Sequence, residues 1–442
     1  MNRYERYKDS GIPWLGEVPE HWNIIQFRRV VENIKDGTHG THSRENNGFP
    51  LLSAKNVFND GIHIHDNESQ ISEEDYKLIT SNGFPRKNDL LITCVGSIGR
   101  CCVYPFDNPI AFQRSVAFLR LNKNSVPQFY KYFVESICYQ EQLRANIKLS
   151  IQGGVYLGTL VSLYVSLPPQ KEQTAIAHYL DTKLGEIDAL IEKQQTLLEK
   201  LAEQRTAVIT HAVTKGLNPA APMKMSGVEW LGNVPAHWEV KRLKFLITEL
   251  RVGPFGSAIK ISDYVQDGKP LYNQRTVLDN SFANNSIFLT DEKYKELNSF
   301  QTKSGDFLLT TRGTIGKVAI VPQNAEPGII HPCLIRFKID ENLFQPKLLK
   351  SIFNETDFFK KQLDLQSNAT TIDVIYSNSL KELFLTLPPR DEQAVIADYL
   401  DQETTKIDRL CDTVNQTIGR LKEYRTALIT QAVTGKIKVT DE

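Results

Sequence analysis

The 442-residue chain is long enough for two to three domains, and its 41% apolar content is ample for buried cores. Lys and Arg together number 52, as do Asp and Glu, which excludes a global electrostatic pull toward nucleic acid or anionic membrane and leaves that work to local clusters. No stretch approaches the ~20 apolar residues of a membrane span and the N-terminus has no apolar h-region, so a cytoplasmic protein with no membrane partner is expected.

The chain opens on Ser10-Gly11, Trp14-Leu15-Gly16, Val18-Pro19 and His21-Trp22. Trp14 is expected as a core anchor, because tryptophan mostly serves burial. Up to residue 166, short apolar runs such as Leu90-Leu91-Ile92 and Ser115-Val116-Ala117-Phe118-Leu119 are punctuated by Gly, Pro, Asn and Asp, which predicts the strands and turns of an α+β domain. From about Glu172 to Thr214, Ile176, Leu180, Leu184, Ile187, Ile191, Leu198, Leu201 and Val208 recur at spacings of three and four, with Gln194 and Arg205 completing the seam. That spacing predicts one long coiled-coil helix, started at Pro168-Pro169 and stopped at Gly216. About 40 residues at 1.5 Å each make a rod of ~60 Å.

Everything then happens again. The opening landmarks recur as Ser226-Gly227, Trp230-Leu231-Gly232, Val234-Pro235 and His237-Trp238, with Trp230 again expected in the core. Asp89-Leu90-Leu91-Ile92-Thr93 with Gly96-Ser97-Ile98-Gly99-Arg100 returns as Asp306-Phe307-Leu308-Leu309-Thr310 with Gly313-Thr314-Ile315-Gly316-Lys317. Leu167-Pro168-Pro169 with Glu172-Gln173, and Arg205-Thr206-Ala207 with Ile209-Thr210, return as Leu387-Pro388-Pro389 with Glu392-Gln393 and Arg425-Thr426-Ala427 with Ile429-Thr430. The second helix keeps its seam with Ile396, Leu400, Ile407, Cys411, Val414, Ile418, Leu421 and Leu428, with Thr404 and Arg425 as polar members, and stops at Gly435. A period of about 220 residues indicates two complete modules rather than a solenoid. The expected organisation is a globular domain over 1–166, a long helix over 167–217, a second domain over 218–386, a second helix over 387–437 and a tail over 438–442. The two helices are expected to pair antiparallel.

Catalytic signatures are mostly missing. Gly316-Lys317 is no phosphate loop, since Thr311 stands where its first glycine belongs and Val318 follows. Asn108-Pro109-Ile110-Ala111 lacks the second proline and the aromatic residue that an amino-methyltransferase needs. His39-Gly40-Thr41-His42 and His63-Ile64-His65 have metal-ligand spacing but no obvious Cys or carboxylate partner, so no metal is expected. Cys94, Cys101, Cys102, Cys138, Cys333 and Cys411 form no CxxC pair and are expected as free thiols.

What remains is a set of polar loop residues suited to nucleic acid, some for phosphates and a few for base edges. In the first module these are Lys35, Thr38, His39, Thr41, His42, Lys55, Asn56, Ser97, Arg100, Gln113 and Arg114. In the second they are Ser257, Lys260, Gln274, Arg275, Arg312, Thr314 and Lys317.

The repeated Leu-Pro-Pro-x-x-Glu-Gln helix starts, Arg-Thr-Ala-x-Ile-Thr helix ends and Trp-Leu-Gly-x-Val-Pro-x-His-Trp domain starts resemble the specificity subunit of type I restriction-modification enzymes over essentially the whole chain. The resemblance implies two target-recognition domains, each reading one half of an interrupted double-stranded DNA sequence. It also implies that the helices form an antiparallel coiled coil that docks methyltransferase subunits. Catalysis would reside elsewhere: two modification subunits with S-adenosylmethionine, and restriction subunits with ATP and Mg, leaving this chain without a cofactor. The loop residues above are placements by chemistry, not positions carried over from the family. A coiled-coil scaffold that binds proteins and no DNA is the alternative reading.

Overall fold

The computed structural model describes residues 3–147, 154–366 and 374–439. Contacts divide the chain into two compact units, residues 1–195 with 415–442 and residues 196–414. Residues 440–442 of the expected tail lie outside the described residues.

In the first unit an antiparallel sheet runs in the order Cys101–Val103, Leu90–Thr93, Val116–Leu121, Val31–Asp36. Its second strand reads as an unbroken apolar run because both faces are covered. Leu90 and Ile92 enter the main core while Leu91 enters a second cluster on the opposite face. The second unit repeats this with Ile247–Val252, Leu334–Ile339, Phe307–Thr310 and Val318–Ile320, where Phe307 and Leu309 face one core and Leu308 the other. The aspartate ahead of each run is buried and accepts from an arginine of the neighbouring strand. Asp89 Oδ2 lies 2.7 Å from Arg120 Nη2, and Asp306 Oδ2 lies 3.0 Å from Arg336 Nη1. A smaller sheet completes each globular part, with Phe49–Leu52 parallel to Ala111–Phe112 in one unit and Lys269–Tyr272 parallel to Ile329–Ile330 in the other.

The two seams become helices of 46 and 44 residues, Gln170–Lys215 and Arg390–Val433. Gly216 and Gly435 follow them at φ +75° and +71°, a left-handed conformation that ends a helix. Within the first unit Ile176, Leu180, Leu184 and Ile187 share a core with Leu428, Ile429, Ala432 and Val433, with Ile191 and Leu421 half-buried at its edge. The start of one helix thus shares a core with the end of the other, consistent with the expected antiparallel pairing. The second unit does the same with Ile396 and Leu400 against Ile209, Ala212 and Val213. Leu201, Ile407 and Val414 are buried; Leu198 and Ile418 are half-buried.

The repeated motif residues hold each unit together. Glu172 accepts from the Trp22 indole at 3.0 Å and lies 2.7 Å from His21 Nε2; Glu392 accepts from Trp238 at 2.8 Å and lies 2.7 Å from His237 Nε2. Gln173 donates to Pro168 O at 2.9 Å and accepts from Val126 N, and Gln393 donates to Pro388 O at 2.9 Å and accepts from Gln345 N. Trp14 corrects the sequence expectation. It is 43% exposed in a turn and Trp230 is half-buried against Phe358, whereas Trp22 and Trp238 are fully buried. An indole is buried at little cost only where its N–H finds an acceptor, and Glu172 and Glu392 supply one.

Candidate nucleic-acid interface

Each globular part carries one scaffold of turns, built from the same backbone bonds. In the first unit Gly99 N donates to Thr93 O, Cys94 N to Ser115 O and Val155 N to Cys94 O, at 2.9, 2.8 and 2.9 Å. In the second Gly316 N donates to Thr310 O, Thr311 N to Cys333 O and Ile375 N to Thr311 O, at 2.9, 3.0 and 3.0 Å. Gly96, Gly99, Gly313 and Gly316 all have φ between +66° and +85°, so the two turns need glycine at both corners. Thr93 and Thr310 shape the turns from within, their hydroxyls accepting from Arg100 N and Lys317 N at 3.0 Å. The loop after the edge strand crosses close by. A Cβ on Gly37 would lie 2.2 Å from Phe112 O, and one on Gly253 2.4 Å from His331 O.

The side chains set on this scaffold differ. In the first unit Asp36, His39, Gln113, Arg114 and Tyr156 line one open cleft. His39 Nε2 lies 2.7 Å from Asp36, while His42 is held between Thr38 Oγ1 at 2.8 Å and Asp75 at 3.0 Å. The two histidines therefore have separate partners and do not converge. Among the described residues no group of three or more His, Cys, Asp or Glu is placed to hold a metal ion. Thr41, Ser97 and Arg114 are exposed and Gln113 is half-exposed. Lys35 is exposed on the edge strand, its ammonium 5.9 Å from the Phe84 ring centre.

Asn56, Lys55 and Arg100 are also engaged within the protein. Asn56 is fully buried, donating to His63 O and Glu68 Oε1 and accepting from Ser53 N, so it has no reach to a ligand. This corrects its placement among the DNA candidates. Lys55 pairs with the buried Glu68 carboxylate at 2.7 Å, and Arg100 lies 4.5 Å over the Phe58 ring.

In the second unit Ser257, Lys260, Arg312 and Thr314 are exposed, and Gln274 is half-exposed with its amide 3.4 Å from Thr314 O. Arg275 lines a polar cleft with Asn273, Asp279 and Asn285, its Nε 3.1 Å from Asp279 Oδ2. Lys317 donates to Asn354 O at 2.5 Å, so its ammonium is engaged within the protein, against its placement among the DNA candidates. Lys35, Arg114, Lys260 and Arg312 are left without a carboxylate partner among the described residues. These are the charges free to meet phosphates or guanine edges.

A family model described as the type I restriction modification DNA specificity domain matches twice, over residues 19–200 and 236–419. The chain belongs to this family. Each specificity domain includes one turn scaffold and the first part of one long helix. The type I restriction enzyme EcoKI specificity subunit of Escherichia coli K12 is 23% identical over 96% of this chain and 90% of its own length. The putative MjaX specificity subunit of Methanocaldococcus jannaschii is 23% identical over 96% of both chains. Two solved structures share the fold. One, from a study of complex assembly and conformational transition of the type I R-M system, covers 95% of this chain at TM-score 0.66 and 16% identity, and 99% of its own. The other, the HsdS subunit of Thermoanaerobacter tengcongensis, covers 95% at TM-score 0.50 and 15% identity, and 98% of its own.

Several exposed side chains on or beside these scaffolds are not among the residues expected from the sequence. Phe255 and Ile261 are 89% and 86% exposed in the loop of the second domain that follows Gly253. The signal for Phe255 was an apolar side chain inside the run Gly253-Pro254-Phe255-Gly256-Ser257, with Ile261 four residues beyond it. Tyr156 and Tyr376 are 72% and 68% exposed, and their signal was the repeat itself.

The six cysteines are free thiols. Four are buried, and burial pushes Cys94 and Cys102 up to about 12. Among the described residues no helix is long and apolar enough to cross a membrane.

Proposed function

We propose that this chain is the address-reading subunit of a cytoplasmic type I restriction-modification enzyme. Residues 1–166 and 218–386 each read one half of a bipartite, asymmetric DNA target from a major groove. The carrying observation is the scaffold: the same backbone bonds recur in both domains while the side chains set on them differ. One geometry is thereby offered to DNA twice with two chemistries. Arg114 and Gln113 serve the first half-site and Arg312 and Gln274 the second, each good base contact contributing ~1–3 kcal/mol of discrimination.

The helices 167–217 and 387–437 act as ruler and as docking site for two methyltransferase subunits. Each of them contributes residues to both units, so continuous helix rather than a loose linker joins the domains. A separation near one DNA turn, ~34 Å, leaves an unread spacer between half-sites. S-adenosylmethionine, ATP and Mg belong to the modification and restriction subunits. Membership of a DNA specificity family leaves the protein-only scaffold without support.

Co-expression with a modification subunit, followed by genome-wide mapping of methylated adenine, tests this reading. A bipartite motif that disappears when this chain is omitted is expected. A stable complex that yields no motif would contradict it. Adding one heptad to each helix is expected to lengthen the tolerated spacer, and an unchanged spacer would remove the ruler.

A further inference from the structure

Tyr156 and Tyr376 occupy equivalent places on the two scaffolds. Each directly follows the residue whose amide is bonded to the turn strand, Val155 N to Cys94 O and Ile375 N to Thr311 O. Each caps the N-terminus of a short helix, Leu157–Ser162 or Ser377–Lys381, with nearly the same backbone angles, φ −77°, ψ 148° and φ −92°, ψ 151°. The carbonyl of each then accepts the first helical amides, Thr159 N at 2.9 Å and Leu380 N at 3.0 Å.

The surroundings have diverged. Where the first domain has Gln113 bonded to Leu52 O, the second has His331 bonded to Tyr272 O. Where the first bridges Val95 to Gly154, the second bridges Arg312 to Val374. Two positions after the close-approach glycine, His39 is replaced by Phe255. Only the tyrosine is kept among these side chains. Packing does not account for it, because a side chain about 70% exposed buries little apolar area. Internal hydrogen bonding does not account for it either, since neither phenol hydroxyl has a partner among the described residues.

A residue kept on two domains that read different half-sites must contact what every DNA sequence offers alike. We propose that Tyr156 and Tyr376 are the paired, sequence-independent DNA contacts, each donating its phenol O–H to a phosphate of the backbone flanking its half-site. Tyrosine is a recognised donor to phosphate, and such bonds fix register and orientation without carrying sequence information. In the first domain Tyr156 shares its cleft with Gln113 and Arg114, so one wall would position the duplex and the other read it.

The inference rests on the DNA-reading function above, and the test separates the two. Full-length chain assembled with its modification subunits is assayed for binding to its mapped target and to a scrambled duplex, and for its methylation motif. The variants are Tyr156→Phe, Tyr376→Phe and the pair. Loss of one hydrogen bond to a charged oxygen is expected to weaken binding roughly 10-fold for each single variant and roughly 100-fold for the pair. Target and scrambled duplex should weaken alike, and the motif should stay unchanged. Affinity unchanged in the Phe variants overturns the inference, as does a motif relaxed at one half-site, which would make the tyrosine a base reader. Loss of assembly with the modification subunits also overturns it, making the tyrosine a docking residue. If the unsubstituted complex shows no target preference at all, the DNA-reading function itself has failed.

Discussion

The two units carry the same ionic joint in different surroundings. In the second unit Arg205 Nε donates to Glu355 at 2.6 Å and its guanidinium also reaches Asp408; in the first, Arg425 Nε donates to Asp188 at 3.1 Å and its Nη1 lies 3.7 Å from Glu135. Each joint links a polar seam position to the facing helix and to the last residue of a domain helix, Pro346–Glu355 or Pro127–Glu135. The Glu355 side chain remains 25% exposed, whereas Glu135 is 2% exposed and also pairs with Lys131, itself 9% exposed, at 2.7 Å. One motif is thus solvated in one unit and sealed in the other. Conserved chemistry in a repeat does not fix the energy of the bond, because the dielectric around it is set by neighbours that the repeat does not share.

The largest expected effect follows from that contrast. Glu135→Ala leaves Lys131 as a buried, unpaired cation and is expected to cost about 3–5 kcal/mol, read by urea unfolding. Glu355→Ala leaves Arg205 with Asp408 and water, and is expected to cost about 1 kcal/mol or less. Equal losses would mean that the two joints share one environment after all.

Next in size are the buried indoles, where the units agree. Trp22→Phe and Trp238→Phe each remove a bond to a carboxylate and leave a void, and each is expected to cost about 3 kcal/mol. Trp14→Phe, in its exposed turn, is expected to stay within about 0.5 kcal/mol. A Trp14 effect as large as that of Trp22 would restore the repeated N-terminal tryptophan as an anchor.

The sealed joint also has a signature in pH. Burial pushes the Glu135 carboxyl above its ordinary 4.5, against the pull of Lys131 and Arg425. Between the ordinary and the raised value the folded state holds the extra proton, so the stability this group lends falls as pH rises through that window. Glu249 in the second unit is held below 4.5, chiefly by the hydrogen bond from Arg336, so its contribution is present above 4.5 and is lost as pH falls toward the lowered value. Hydrogen exchange followed separately in each unit should show these opposite slopes on the two sides of pH 4.5. Glu135→Gln should remove the first slope, and Glu249→Gln should flatten the second, to which Glu239 and Glu382, also held below 4.5, contribute.

Much of the fold was legible because its causes are local. Spacings of three and four expose a helix seam, unbroken apolar runs expose a strand covered on both faces, and repeated glycines expose a turn needing positive φ. What was hidden depended on which partner each side chain meets, near or far along the chain. Trp14 and Trp22 look alike in sequence, and only Glu172 distinguishes the one that is buried. Asn56 looked like a loop contact until Glu68 and His63 closed over it. Lys55, Arg275 and Lys317 looked like free cations, but Glu68, Asp279 and the Asn354 carbonyl engage them. Arg114 and Arg312, expected from the sequence as DNA contacts, are exposed and have no carboxylate partner among the described residues.

Those two arginines give the most direct test of one scaffold carrying two addresses. Methylated adenines would be mapped genome-wide in cells expressing the complex with Arg114→Ala and, separately, with Arg312→Ala. The account predicts that each variant relaxes a different half of the bipartite motif and leaves the other half intact. Relaxation of the same half by both variants, or a uniform loss of methylation with the motif unchanged, would contradict it.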